Sequence, residues 1–105
     1  MIDIEKANRE RTRWIVLQTA HISGAHGVNE GTLVAVLSNV KLFHGPDRLR
    51  RELDYLEGRQ LIEIEGKDMA PEWSIKLTRH GYDVAEYTVP VEPGIARPPK
   101  YWQGQ

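Results

Sequence analysis

Hydrophobic positions recur at helical spacing through the first half of the chain. Residues 4–22 contain neither Gly nor Pro, and apolar side chains thicken toward the end of the segment at Trp14, Ile15, Leu17, Ala20 and Ile22. At about 100° of turn per residue these cover more than half of a helix circumference. The pattern predicts a first helix whose second half is buried broadly, at the domain centre or against a partner chain. Residues 23–28 carry two glycines and read as a loop. Asn29 is placed to cap a second helix, with Glu30 favourable at the positive end of its dipole. That helix runs to about residue 40, with Leu33, Val36, Leu37 and Val40 at i, i+3, i+4 and i+7. After a short turn over residues 41–45, Pro46 suits the first turn of a third helix, where its missing N–H is no loss. This helix extends to about residue 57, with Leu49, Leu53 and Leu56 inward and Gly58 at its C-terminal end.

The period then changes from helical to alternating. Leu61, Ile62 and Ile64 sit among Gln60, Glu63 and Glu65, and Trp73, Ile75 and Leu77 alternate with Ser74 and Lys76. Two such runs around the turn segment GKDMAPE predict a β-hairpin. Thr78 is placed to cap a last helix over residues 79–87. From there Pro90, Pro93, Pro98 and Pro99 end regular structure. The expected fold class is therefore α+β: a three-helix core, a two-stranded hairpin, a C-terminal helix and an extended Pro-rich tail. The expected division is a domain over residues 1–87 and a tail over residues 88–105, which Ile95, Tyr101 and Trp102 give something to bury.

A length of 105 residues supports one domain with its own core. There are no cysteines, which excludes disulfides and thiolate metal sites and makes a reducing, cytoplasmic setting the expectation. The N-terminal MIDIEKANRERTR places charges where a signal peptide needs an apolar run. The longest apolar stretch, LVAVL, falls far below the ~20 residues of a membrane span. The formal net charge of −1 lacks the basic surplus usual in a nucleic-acid binder. A clear basic excess is confined to the first half of the first helix, where Lys6, Arg9, Arg11 and Arg13 face Glu5 and Glu10.

The segments DRLRRELDYLEGRQLIEI and WSIKLTRHGY, joined by the hairpin turn, resemble the winged helix-turn-helix superfamily, particularly the MarR-like and PadR-like bacterial regulators. In that family the recognition helix runs into a Leu-Glu-x-x-Gly-Leu-Ile segment, matched by residues 56–62 except that Gln60 stands where glycine is usual, with Gly58 nearby as a substitute. The close Leu-Thr-x-x-Gly is matched by Leu77, Thr78 and Gly81. The resemblance covers residues 30–87. The tail, EPGIARPPKYW, is similar to small winged-helix proteins of Mu-like phages and prophages. The resemblance implies a transcriptional regulator or a phage- or prophage-encoded DNA-binding protein, usually a homodimer, with the third helix in the major groove of double-stranded DNA and the wing over the neighbouring backbone.

The residues offer that reading its contacts. On the third helix the face opposite Leu49 and Leu53 presents Asp47, Arg51 and Asp54, flanked by Arg48 and Tyr55 on one side and Arg50 on the other. Arginine binds guanine edges or phosphates, and tyrosine donates to phosphate. His44 in the preceding turn, Lys67 near the hairpin tip and Arg13 complete the expected DNA-binding set. A plainer reading competes with it. Asp47–Arg51, Arg48–Glu52 and Arg50–Asp54 are i,i+4 pairs of opposite charge, each worth a few tenths of a kcal/mol on a solvated helix. The wing is acidic, with Glu63, Glu65, Asp68 and Glu72 against Lys67 and Lys76. A winged helix that binds protein rather than DNA is therefore the alternative. The broad apolar cover of the first helix and the aromatic tail place an oligomer interface at Trp14, Leu17, Tyr101 and Trp102. No metal site, cofactor or catalytic constellation is expected: His21, His26, His44 and His80 do not share a helical face, and no serine sits in a nucleophile context.

Overall fold

The structure is a computed structural model and describes residues 2–69 and 71–100. Among these residues it has an α+β architecture of four helices and a small antiparallel sheet. The chain runs α1 (Ile4–Ser23), a 3₁₀ turn (Gly24–His26), β1 (Val28–Asn29), α2 (Glu30–Asn39), α3 (Pro46–Gly58), β2 (Ile62–Glu65), β3 (Ser74–Leu77) and α4 (Arg79–Ala85).

Side chains at the helix starts stop the chain from fraying there. The Asp3 carboxylate accepts from the Lys6 N–H, the Asn29 side chain from the Thr32 N–H, and the Thr78 hydroxyl from the Gly81 N–H. Each satisfies a backbone donor that the first helical turn leaves orphaned. Pro46 opens α3 without a side-chain cap. α4 packs so closely that a Cβ on Gly81 would collide with the Leu61 carbonyl, the same oxygen that accepts from the Thr78 N–H at 3.1 Å. Glycine is required at that position by the close approach of α4 to the start of the hairpin.

The sheet has three strands where alternation predicts two. β1 joins the hairpin at its far edge, in the order β1-β3-β2, with Val28 opposite Ile75 and Asn29 opposite Ser74. Ile62 faces Leu77 and Ile64 faces Ile75 across the hairpin itself. The loop expected over residues 23–28 thus ends in a strand. The Gly27 backbone passes so near the Ile75 carbonyl that a Cβ there would clash, and its φ is +75°.

Leu17, Leu33, Leu53, Leu56, Leu61 and Ile75 form the centre of the core. The second half of α1 is buried by its own chain through Trp14, Val16, Leu17 and Ala20, while Ile22 is 84% exposed. Ile22 therefore lies off the stripe to which its spacing assigned it, and Val40, at 39% exposed, sits just past the end of α2. α4 ends at Ala85 rather than near residue 87, and Tyr87 takes a left-handed φ of +64° beyond it. Gly58 stays helical, and Gln60 itself adopts the left-handed conformation at φ +63° that turns the chain into β2. The substitute turn at Gly58 is thus corrected: glutamine bears the strain directly.

The tail lies back along the domain. The Ala96 N–H donates to the Glu10 carbonyl at 3.1 Å and the Arg97 guanidinium to the carbonyls of Val84 and Val89, with Ile95 buried at 6% exposure. The Tyr87 hydroxyl donates to the Pro98 carbonyl and its ring meets Trp14 edge-on.

Candidate nucleic-acid interface

Every expected DNA contact is best understood through the ion pairs of α3. The i,i+4 pairs anticipated within the helix are not those that form. Three of its acids, Glu52, Asp54 and Glu57, are taken by cations from other elements, across sequence separations that no single-helix rule covers, while Asp47 makes no ion pair among the described residues.

Glu52 is claimed by α1. The Arg13 Nε donates to Glu52 Oε1 at 2.6 Å, with the two side chains only 12% and 7% exposed. Arg13 also donates to the Gly94 carbonyl at 2.9 Å and lies 3.6 Å over the Tyr55 ring. Arg13 is therefore an internal clamp joining α1, α3 and the tail, and has no free charge to offer a phosphate. Tyr55 is half-buried beneath it, and the Arg59 guanidinium also lies over its ring, 5.1 Å from the centroid.

Arg50 turns toward α2 and the base of the hairpin. Its Nε and Nη2 donate to the two Glu30 oxygens at 2.6 and 2.7 Å, a bidentate pair, and its guanidinium sits 4.4 Å from the Trp73 ring. Glu30 also accepts from the Trp73 N–H at 2.6 Å, while the Glu30 N–H donates to the Trp73 carbonyl. Arg50, aided by the Trp73 N–H, holds the Glu30 carboxyl below its ordinary range, overcoming the opposing effect of burial. In return Glu30 raises the Arg50 guanidinium above its usual value. These groups lock α2 and α3 to Trp73, the residue that leads into β3.

Lys67 reaches back from the hairpin and donates to Asp54 at 2.7 Å and to Glu57 at 2.8 Å. The two carboxylates raise its ammonium pKa, Asp54 foremost. The hairpin lysine expected to meet phosphate is thus folded onto α3 and paired with its carboxylates. Lys76 lies 3.5 Å from Glu65 and 3.9 Å from Glu63, both of which remain exposed.

Arg48 and Arg51 remain. Both are exposed, and among the described residues neither makes an ion pair. His44 is exposed in the turn just before them. Of the expected set, the structure leaves Arg48 and Arg51 exposed on the N-terminal half of α3 and His44 exposed in the turn before it, engages Arg13, Arg50 and Lys67 elsewhere, and half-buries Tyr55. Leu17 is fully buried and Trp14 is 5% exposed within the chain, so neither offers surface to a second copy. This corrects the interface expected at those two positions. The other two, Tyr101 and Trp102, lie outside the described residues. Among the described residues no helix is long and apolar enough to cross a membrane, and no three histidine or carboxylate side chains gather as a metal ion requires.

No protein-family model, curated protein or solved structure matches this chain.

Proposed function

We propose that this chain is a winged-helix protein that binds double-stranded DNA through the N-terminal half of α3, with the β2–β3 hairpin as its wing. A transcriptional regulator or a phage- or prophage-encoded DNA-binding protein is the role this reading assigns. The observation that carries it is the exposed pair Arg48 and Arg51, without ion-pair partners among the described residues, while Glu52 and Asp54 are paired with Arg13 and Lys67 and only Asp47 beside them is left without such a partner. A helix that follows another after a short turn and bears its free arginines near its own start has the chemistry to meet phosphates and guanine edges. The order α2, turn, α3, hairpin agrees with the family resemblance of the sequence.

Few free cations and an acidic wing make the binding weak, with a shallow salt slope because few phosphates are contacted, so that it is measurable only at low salt. Fluorescence anisotropy of labelled random-sequence duplexes at low salt tests the proposal. Saturable binding that fades as salt rises supports it, and absence of binding by folded protein sinks it.

A protein-binding module is the second reading. It is favoured by the exposed acids Glu63 and Glu65 on the wing and by Met69, 94% exposed beside the wing turn. A homodimer is part of the proposal in either case. With Trp14 and Leu17 internal, its contacts fall to the apolar side chains left exposed toward the ends of α1, Ile2, Ile4 and Ile22. Sedimentation equilibrium decides between one copy and two.

A further inference from the structure

The free arginine surface of α3 continues onto α1. A cavity between α1, the turn after α2 and the start of α3 is lined in part by Arg9, His44 and Arg48. All three are exposed, and among the described residues neither arginine makes an ion pair. Two acids share the lining, Glu5 and Glu52, and Glu52 is already paired with Arg13 at 2.6 Å. Two free guanidiniums, with His44 beside them, therefore outnumber the one carboxylate left unpaired, Glu5.

The hairpin flank of α3 has the opposite charge. Lys67 is held by Asp54 and Glu57, and Lys76 lies within 4 Å of Glu63 and Glu65. Asp68 and Glu72 add two more exposed acids. Among the described residues the hairpin thus offers a phosphate no unpaired cation. A helix seated in the major groove has a sugar–phosphate backbone on either side of it, so both flanks of α3 bear on how a duplex docks. Attraction to α1 and repulsion from the hairpin favour the same side.

We propose that Arg9 is a phosphate contact, and that the duplex backbone runs from Arg51 and Arg48 past His44 onto the start of α1 instead of over the hairpin. The inference rests on the DNA reading above and departs from the family resemblance, which puts the wing on that backbone. The surface stays open in a dimer built on Ile4 and Ile22. At 3.6 residues per turn, Arg9 lies about 140° round α1 from both.

The contact is tested by salt titrations of duplex binding, followed by fluorescence anisotropy, with two exposed substitutions. Arg9→Gln should weaken binding roughly fivefold at low salt and make the slope of log K against log salt shallower by about 0.9, the share of one phosphate. Arg79→Gln removes the same charge at the start of α4, beside the Gln60 end of α3, and should leave the slope unchanged. An unchanged slope in Arg9→Gln, or an equal change in both variants, would overturn the contact.

The direction of the duplex is read separately. The chain has no cysteine, so an iron–EDTA reagent attached to one introduced thiol and activated with ascorbate and peroxide cuts the DNA nearest that position. Glu5→Cys, at the cavity, should cleave the backbone more strongly than Asp68→Cys on the hairpin. Equal or stronger cleavage from Asp68→Cys overturns the path. If folded wild type binds no duplex at all, the DNA reading falls and this path with it, whereas duplex binding without an Arg9 effect removes the path alone.

Discussion

Replacing Arg13 with methionine separates an internal clamp from a DNA contact. Arg13→Met keeps most of the side-chain volume and removes the charge facing Glu52. Breaking a buried ion pair from one side costs about 3–5 kcal/mol, because the other charge is left without a partner. Glu52 borders the cavity between α1 and α3, where water reaches it, so the lower end applies. The lost hydrogen bond to the Gly94 carbonyl adds about 1 kcal/mol. A thioether resting on the Tyr55 ring returns roughly 0.5–1 kcal/mol. The expected destabilisation is about 3 kcal/mol. Against a total of roughly 5–15 kcal/mol for a domain of this kind, the variant remains folded. Urea denaturation followed by tryptophan fluorescence should show a lower midpoint at unchanged slope. Arg13→Met/Glu52→Leu should recover most of the loss, since an apolar pair of similar volume often replaces a buried ion pair without penalty. A cost below about 1 kcal/mol for the single variant, or no recovery in the double, would refute the clamp. The salt dependence of duplex binding should be unchanged in Arg13→Met.

Three further outcomes follow from the same structure. Gln60→Gly should stabilise the protein by about 0.5–1 kcal/mol in thermal unfolding, because it relieves a φ of +63° and leaves the Gln60 carbonyl, which accepts from Thr78, in place. The Glu30 carboxyl is held below its ordinary value of 4.5, so its stabilisation is fully present above that value and is lost as pH falls through the lower, folded value. The stability gap between wild type and Glu30→Gln, measured by urea titrations across that range, should therefore be largest near neutral pH and shrink in acid. Finally, Glu63→Gln/Glu65→Gln removes two exposed wing acids and should tighten duplex binding by roughly two- to fivefold at low salt, an effect that fades as screening increases.

Local rules made the helices and the hairpin legible in the sequence. Asn29 and Thr78 announce their helices because a capping bond spans only three residues, and both caps form. The Leu49, Leu53 and Leu56 stripe likewise follows from helical geometry alone, and all three are buried. β1 was not legible, since two residues carry no alternation and their pairing partners, Ser74 and Ile75, lie in a distant segment. The ion pairs were misread for the same reason. Arg13 meets Glu52 at a separation of 39 residues, Arg50 meets Glu30 at 20 and Lys67 meets Asp54 at 13. An i,i+4 rule assigns Glu52 and Asp54 to neighbours on their own helix, where pairing is exposed and weak. Folding instead gives Glu52 and Glu30 partially desolvated partners, which is the stronger arrangement. Arg48 and Arg51 emerge as the free pair only once that redistribution is known.

The central claim concerns that pair, and the slope of log K against log salt concentration tests it most directly. Each phosphate contact contributes about 0.9 to this slope on duplex DNA. Wild type and Arg48→Ala/Arg51→Ala should both fold, and the double variant should bind more weakly with a slope shallower by roughly 1.8. An unchanged affinity and slope in the double variant would contradict the claim.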